Sequence, residues 1–241
     1  MAVGFEVTGT RSELIVRLSG TLGLTDVSGV HTRLLKALAE QPEALLVDVS
    51  AMTVDQPLAL AVFTAASRQA TRWPGIPVLI YGAQPRVHEL LTGPAYYRLP
   101  VFGGLEAARE QVGAALPALS EELLPLSGAP RHARDVATEA CLRWDLPGLI
   151  APASLIANEL VSNVVDHAHT MMTLRLSLRP RYLNIAVRDG SPAEPIRPGP
   201  AAADLKRGRG LLLVDASAHA WGWMPSADGK VVWASLARPR D

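Results

Sequence analysis

Ile156-Ala-Asn-Glu-Leu-Val-Ser-Asn-Val-Val-Asp-His-Ala-His-Thr170 is the stretch on which the reading of this chain turns. Ile156, Leu160, Val161, Val164, Val165 and Ala168 recur at three- and four-residue spacings, which predicts an amphipathic helix over about 152–168. Between them Glu159, Asn163 and His167 recur every four positions and so share one helix face. A carboxylate, a carboxamide and an imidazole along one edge can do chemistry. Glu159 can take a proton, and Asn163 can offer a carbonyl oxygen to a hard cation such as Mg²⁺. Taken alone, the same spacing also describes a solvated polar face.

Two later stretches narrow the choice. Asn184-Ile-Ala-Val-Arg-Asp-Gly-Ser-Pro192 reads as an alternating strand running into an acidic turn, and Arg207-Gly-Arg-Gly-Leu-Leu-Leu-Val214 as a glycine-rich turn entering an apolar helix. The order Glu-x-x-x-Asn-x-x-x-His, Asp-Gly-Ser-Pro, Gly-x-Gly-Leu resembles the GHKL ATP-binding fold, and within it the anti-sigma-factor serine kinase branch of bacterial partner switching. Trp221-Gly-Trp-Met and Asp228-Gly-Lys-Val-Val-Trp233 also look like that branch. The resemblance covers roughly Leu119 to Ala237.

Composition bounds the alternatives. The chain has 241 residues, room for one large domain or two modest ones, and 49% hydrophobic against 19% charged residues is a globular balance. Basic and acidic residues number 23 each. Divided near residue 118, the halves carry 9 basic with 10 acidic and 14 basic with 13 acidic residues, so neither is a basic module and direct nucleic-acid binding is not expected. Cys141 is the only cysteine, which rules out an intrachain disulfide and suggests a small buried hydrophobe. The N-terminus lacks a basic region followed by an apolar run, and no uninterrupted apolar segment approaches the ~20 residues that span a bilayer. A cytoplasmic protein without membrane partners is expected.

In the first half, strands are expected at 5–9, 13–20, 44–49 and 77–81, and helices at 25–40, 57–72, 85–92 and 104–116. Thr25 or Asp26 and then Asp55 are the expected caps. Alternating strands and helices imply a mainly parallel sheet. Leu45-Leu-Val-Asp-Val-Ser50, Val78-Leu-Ile-Tyr-Gly82 and Pro100-Val-Phe-Gly-Gly-Leu-Glu-Ala-Ala108 make residues 3–116 resemble the STAS fold of anti-sigma-factor antagonists. Those antagonists carry a phosphorylated serine in an Asp-Ser-Ser-Gly turn. Here the turn reads Asp55-Gln-Pro-Leu58, without a hydroxyl, so this half is expected to dock a partner or regulate its neighbour. The fold expected overall is an α/β N-terminal STAS domain (1–117) and an α+β C-terminal GHKL (Bergerat) ATP-binding sandwich (118–241).

In the second half a junction is expected over 116–122, a strand at 122–126 and a helix over 130–144 with Ala133, Val136, Ala137, Ala140 and Cys141 inward. Strands at 172–179 and 182–189, a proline-broken loop over 190–207, a helix at 211–218 and strands at 220–225 and 230–236 complete it. Gly208 and Gly210 would let backbone N–H groups approach phosphate, with Lys206, Arg207 and Arg209 close by. The resemblance implies ATP and Mg²⁺ as cofactors: Glu159 as catalytic base, Asn163 as metal ligand, Asp189 as adenine reader, and Gly208, Arg209, Gly210 and Leu211 as the phosphate turn. His167 would pack the helix end, His169 and Asp166 lie on the surface, and Trp221, Trp223 and Trp233 stabilise the sheet. The implied function is a serine/threonine protein kinase that phosphorylates a STAS-type anti-sigma factor antagonist and controls a sigma factor. The rival reading is a non-catalytic ATP-binding anti-sigma module docked to its own STAS domain, and a third is an ATPase without a protein acceptor. A homodimer is left open.

Overall fold

Hydrophobic runs with different periods build two different sheets in this chain. The computed structural model describes residues 3–10, 12–195 and 210–239. The chain divides into two compact units, Met1–Ala115 and Leu116–Asp241.

In the N-terminal unit β1 (Gly4–Gly9) and β2 (Leu14–Leu22) form an antiparallel hairpin. Gly9 turns it at φ +117°, and a Cβ there would stand 2.3 Å from the Glu13 carbonyl oxygen, so only glycine fits. β2 then runs parallel to β3 (Leu45–Val54), β3 to β4 (Val78–Tyr81) and β4 to β5 (Val101–Phe102). Helices α1 (Val27–Ala39), α2 (Ala61–Arg72) and α3 (Pro85–Thr92) connect the parallel strands, and α4 (Leu105–Arg109) follows β5. The expected mainly parallel α/β sheet is the one observed. β3 is longer than its apolar run 44–49, because residues 51–54 pair with 19–22 of β2 beyond a bulge between Arg17 and Ser19. Three other details differ from expectation. Residues 104–116 give only the short α4, and the first turns of two helices, Leu24–Asp26 and Pro57–Leu60, are 3₁₀. Asp26 stands at the N-cap position of α1, as one of the two expected caps, but its carboxylate accepts from Gly23 N at 3.1 Å and not from the helix; Gln56, not Asp55, holds the cap position before Pro57.

Asp48 is a buried carboxylate within this sheet. Burial alone would push its carboxyl up. Hydrogen bonds from Ser50, including its backbone N–H at 2.9 Å, and the Arg17 guanidinium at 3.1 Å hold it below the ordinary carboxylate range. Burial and the Asp48 charge in turn push the neighbouring Tyr81 phenol up.

The C-terminal unit is an antiparallel sheet in the order β6-β7-β8-β10-β9: β6 (Ala118–Leu123), β7 (Met172–Leu178), β8 (Tyr182–Asp189), β9 (Ala220–Pro225) and β10 (Lys230–Ala237). α5 (Ala129–Arg143), α6 (Ile150–Asn163) and α7 (Gly210–Ser217) belong to the same unit, and α6 packs on α5, α7, β8 and β10. The core joins Ala133, Val136, Ala137, Ala140 and Cys141 of α5 with Ile156, Leu160 and Val161 of α6 and with Leu174, Leu176, Ile185, Val187, Val232 and Ala234 of the sheet. All five inward residues expected of α5 are buried, and burial raises the Cys141 thiol to about 11. The boundary between the units falls at the start of the expected junction, between Ala115 and Leu116, but most of 116–122 is β6, paired with β7 from Ala118↔Ser177 to Leu123↔Met172. That strand is legible only through its partner, because Glu121 interrupts its inward-facing apolar positions Leu119 and Leu123.

The helix from Pro147 through Ala168 is long and apolar enough to cross a membrane by length and composition. Its residues Ala153, Ile156, Ala157, Leu160 and Val161 are buried in the core of this unit.

Candidate nucleotide site

The predicted helix over 152–168 changes form partway. α6 is α-helical to Asn163, and residues Val164–Ala168 then form a π turn, closed by His169 N–H donating to the Val164 carbonyl at 2.8 Å. His169 stops it in the left-handed region at φ +54°. A π turn winds fewer degrees per residue than an α-helix and often marks a functional position. Glu159 and Asn163 therefore stay in register, one turn apart on the half-buried side of α6, while His167 leaves that register and is exposed. The helix-long triad expected from spacing is a pair. Asp166 and His169 are on the surface, as expected.

What meets this pair is the start of α7. A Cβ built on Gly210 would stand 2.7 Å from Glu159 Oε2 and 3.6 Å from Asn163 Oδ1. Absence of a side chain at 210 lets the N-terminus of α7, with its positive dipole end, reach the edge where both oxygens sit. Leu211 is buried behind it in the core. Gly208 and Arg209, like Lys206 and Arg207, lie outside the described residues.

Glu159 is positioned by a short relay that spacing did not reveal. Asn158 Nδ2 donates to Glu159 Oε1 at 3.0 Å, and the Arg134 guanidinium on α5 donates to Asn158 Oδ1. Oε1 is thus held from behind while Oε2 faces Gly210. The Asn163 carboxamide has no side-chain partner among the described residues.

Asp189 ends β8 and is nearly inaccessible, its side chain only 1% exposed. Its Oδ1 accepts from the Lys230 ammonium at 2.9 Å and from Ser191 N–H at 2.8 Å, and Lys230 also donates to the Ser191 carbonyl at 3.2 Å. The antiparallel register sets Lys230 of β10 directly opposite Asp189. Gly229 is required beside it, since a Cβ there would come within 2.1 Å of the Asp189 carbonyl oxygen. Gly190 N–H donates to Thr170 Oγ1 at 3.0 Å, which ties the acidic turn to the segment leaving α6. Sequence reasoning missed Lys230. Its signal was a lysine at the core-side parity of an apolar strand.

Asn163 and Glu159 offer oxygen donors only, as Mg²⁺ prefers, and Mg²⁺ takes few protein ligands beside phosphate and water. Among the described residues no cluster of three or more His, Cys, Asp or Glu side chains competes as a metal site. The residues present therefore fit Mg²⁺ through Asn163. The tryptophans serve the sheet: Trp233 is buried and lies 2.9 Å from a Cβ built on Gly222, and Trp221 Nε1 donates to Asp215 at 2.6 Å.

Comparison with known proteins places this geometry in a family. Residues 126–236 match the family described as the histidine kinase-like ATPase domain. An uncharacterised protein of Streptomyces coelicolor, SCO4941, is 37% identical over 78 residues, spanning 31% of this chain and 74% of that protein. Solved structures similar over the first half include an anti-sigma factor antagonist from Mycobacterium paratuberculosis, at 21% identity over 46% of this chain and 94% of that chain with a TM-score of 0.38. The Bacillus cell fate determinant SpoIIAA in its phosphorylated form is also similar, at 13% identity over 46% of this chain and 100% of that chain with a TM-score of 0.37. Residues 126–236 are thus a histidine kinase-like ATPase domain, preceded by a separate unit with a mainly parallel α/β sheet. A domain of this kind implies ATP binding.

Proposed function

We propose that the C-terminal unit is a serine/threonine protein kinase acting on a STAS-type anti-sigma factor antagonist, and that it controls a sigma factor through that switch. The observation that carries this reading is the seating of Gly210 against Glu159 and Asn163. It brings a base, a metal-binding carboxamide and the N-terminus of a helix to one edge. In the reaction the acceptor hydroxyl oxygen bonds to the γ-phosphorus of ATP, the bond to the bridging oxygen breaks, ADP leaves, and Glu159 receives the hydroxyl proton. Bound Mg²⁺, held through Asn163, would supply charge neutralisation of the phosphates. Asn158 and Arg134 orient the base. Asp189 would receive the exocyclic amine of adenine, and the N-terminus of α7, with Gly208 to Leu211, would take the phosphates.

The Asn163→Ala variant tests the site. It is expected to lose Mg-ATP binding in calorimetry while its circular dichroism is unchanged; unaltered affinity would remove Asn163 from the site. Incubation with labelled ATP and STAS proteins should then phosphorylate a serine or threonine, located by mass spectrometry.

One observation favours the second reading, a non-catalytic ATP-binding anti-sigma module docked to its own STAS domain. Where a phosphorylatable turn is expected, Gln56 spends its side chain inside the unit, its Oε1 accepting from Leu24 N–H at 3.0 Å, and Pro57 follows. Such a turn cannot be switched by phosphate, while the adjoining Leu58 is 67% exposed and suited to apolar docking. ATP binding without transfer to any STAS protein would select this reading.

A further inference from the structure

Asp189 and Lys230 stand on the α6-facing side of the sheet, because Ile185 and Val187 on β8 and Val232 and Ala234 on β10 share their parity and lie in the core that α6 covers. They are the first polar groups beyond that core at the end of the sheet. A buried carboxylate needs a partner, and Lys230 supplies it, its own side chain only 9% exposed. The bonding between them is incomplete in a specific way. Both lone pairs of Asp189 Oδ1 are taken, by Lys230 and by Ser191 N–H, and Oδ2 has no partner among the described residues. Of the three ammonium protons of Lys230, one goes to Asp189 and one to the Ser191 carbonyl, leaving the third uncommitted among the described residues. One acceptor and one donor remain side by side.

We infer that Lys230 is a specificity-determining residue of the nucleotide site, donating its third proton to the N1 atom of a purine whose exocyclic amine is accepted by Asp189 Oδ2. This rests on the nucleotide-binding reading above. The edge of adenine offers one N–H donor next to one acceptor, N1, which is the complement of what remains. Guanine offers an acceptor followed by two N–H donors, and two donors are best met by both oxygens of a carboxylate. With Oδ1 already filled, one guanine N–H is left unpaired, which is costly in a buried site. By occupying Oδ1, Lys230 excludes guanine; by its free proton it reads N1.

Calorimetric titration of the full chain with Mg²⁺ and ATP, 1-deaza-ATP or GTP tests this, since 1-deaza-ATP keeps the amine and replaces N1 by C–H. The wild type is expected to bind 1-deaza-ATP and GTP at least roughly tenfold more weakly than ATP, the scale of one lost hydrogen bond to a charged group. In Lys230→Met the distinction between ATP and 1-deaza-ATP should vanish, and in Lys230→Gln, which keeps an N–H donor, it should persist. Equal affinity of the wild type for ATP and 1-deaza-ATP would overturn the inference even if no variant folds. So would discrimination retained in Lys230→Met. Failure of the wild type to bind ATP at all would instead overturn the nucleotide reading on which it stands.

Discussion

Gly210 shows how a single missing side chain can hold a site together. The group a Cβ would strike first is the far end of the Glu159 side chain, at 2.7 Å, and not backbone. A larger residue is therefore accommodated by moving the proposed base. Gly210→Val is expected to cut phosphoryl transfer by an order of magnitude or more with little change in thermal unfolding; wild-type turnover would show that Glu159 is not held where it acts. Asp48 gives a prediction of a different kind. Its folded pKa is depressed, so its contribution is present above the ordinary aspartate value of about 3.9 and is lost as pH falls through the lower folded value. Asp48→Asn should cost roughly 1 kcal/mol in urea unfolding at pH 7, and its deficit against wild type should shrink by pH 3. A deficit that is the same at both pH values would contradict this sign.

α6 is the element on which both packing and site depend. Its buried side, with Leu160 1% exposed, belongs to the core, while Glu159 and Asn163 sit one residue away from buried positions. Leu160→Ala should destabilise the C-terminal unit by about 2–5 kcal/mol, read as a lower urea midpoint with unchanged slope. A loss well under 1 kcal/mol would mean that the core does not rest on this helix. The start of α6 and its apolar stripe are legible from spacing alone. Its π turn is not, because the switch to i−5 hydrogen bonding depends on what the end of the helix meets and not on local propensity. β6 was hidden for a related reason: its hydrogen bonds are made with β7, whose paired residues lie 49 to 59 positions later in the sequence.

For the chain as a whole, nucleotide binding and stability should be linked. Four of the five tryptophans, at 144, 221, 223 and 233, lie in the C-terminal unit, so indole fluorescence mainly reports that unit. At a hundredfold excess over its dissociation constant, Mg-ATP should stabilise it by about 2.7 kcal/mol and raise the fluorescence-detected melting by several degrees. An unmoved transition would count against an ATP site. Hydrophobic period and residue chemistry are local properties, so the two kinds of unit, most of their elements, and the candidates Glu159, Asn163, Asp189 and Gly210 could be read from the order of residues alone. The three-dimensional packing was needed to show that Gly210 abuts Glu159 and Asn163, that His167 leaves their face, that Arg134 steadies Glu159 through Asn158, and that Lys230 fills half of the Asp189 carboxylate. Each is a meeting of residues from different elements or a departure from ideal helix geometry, and spacing along the chain carries no record of either.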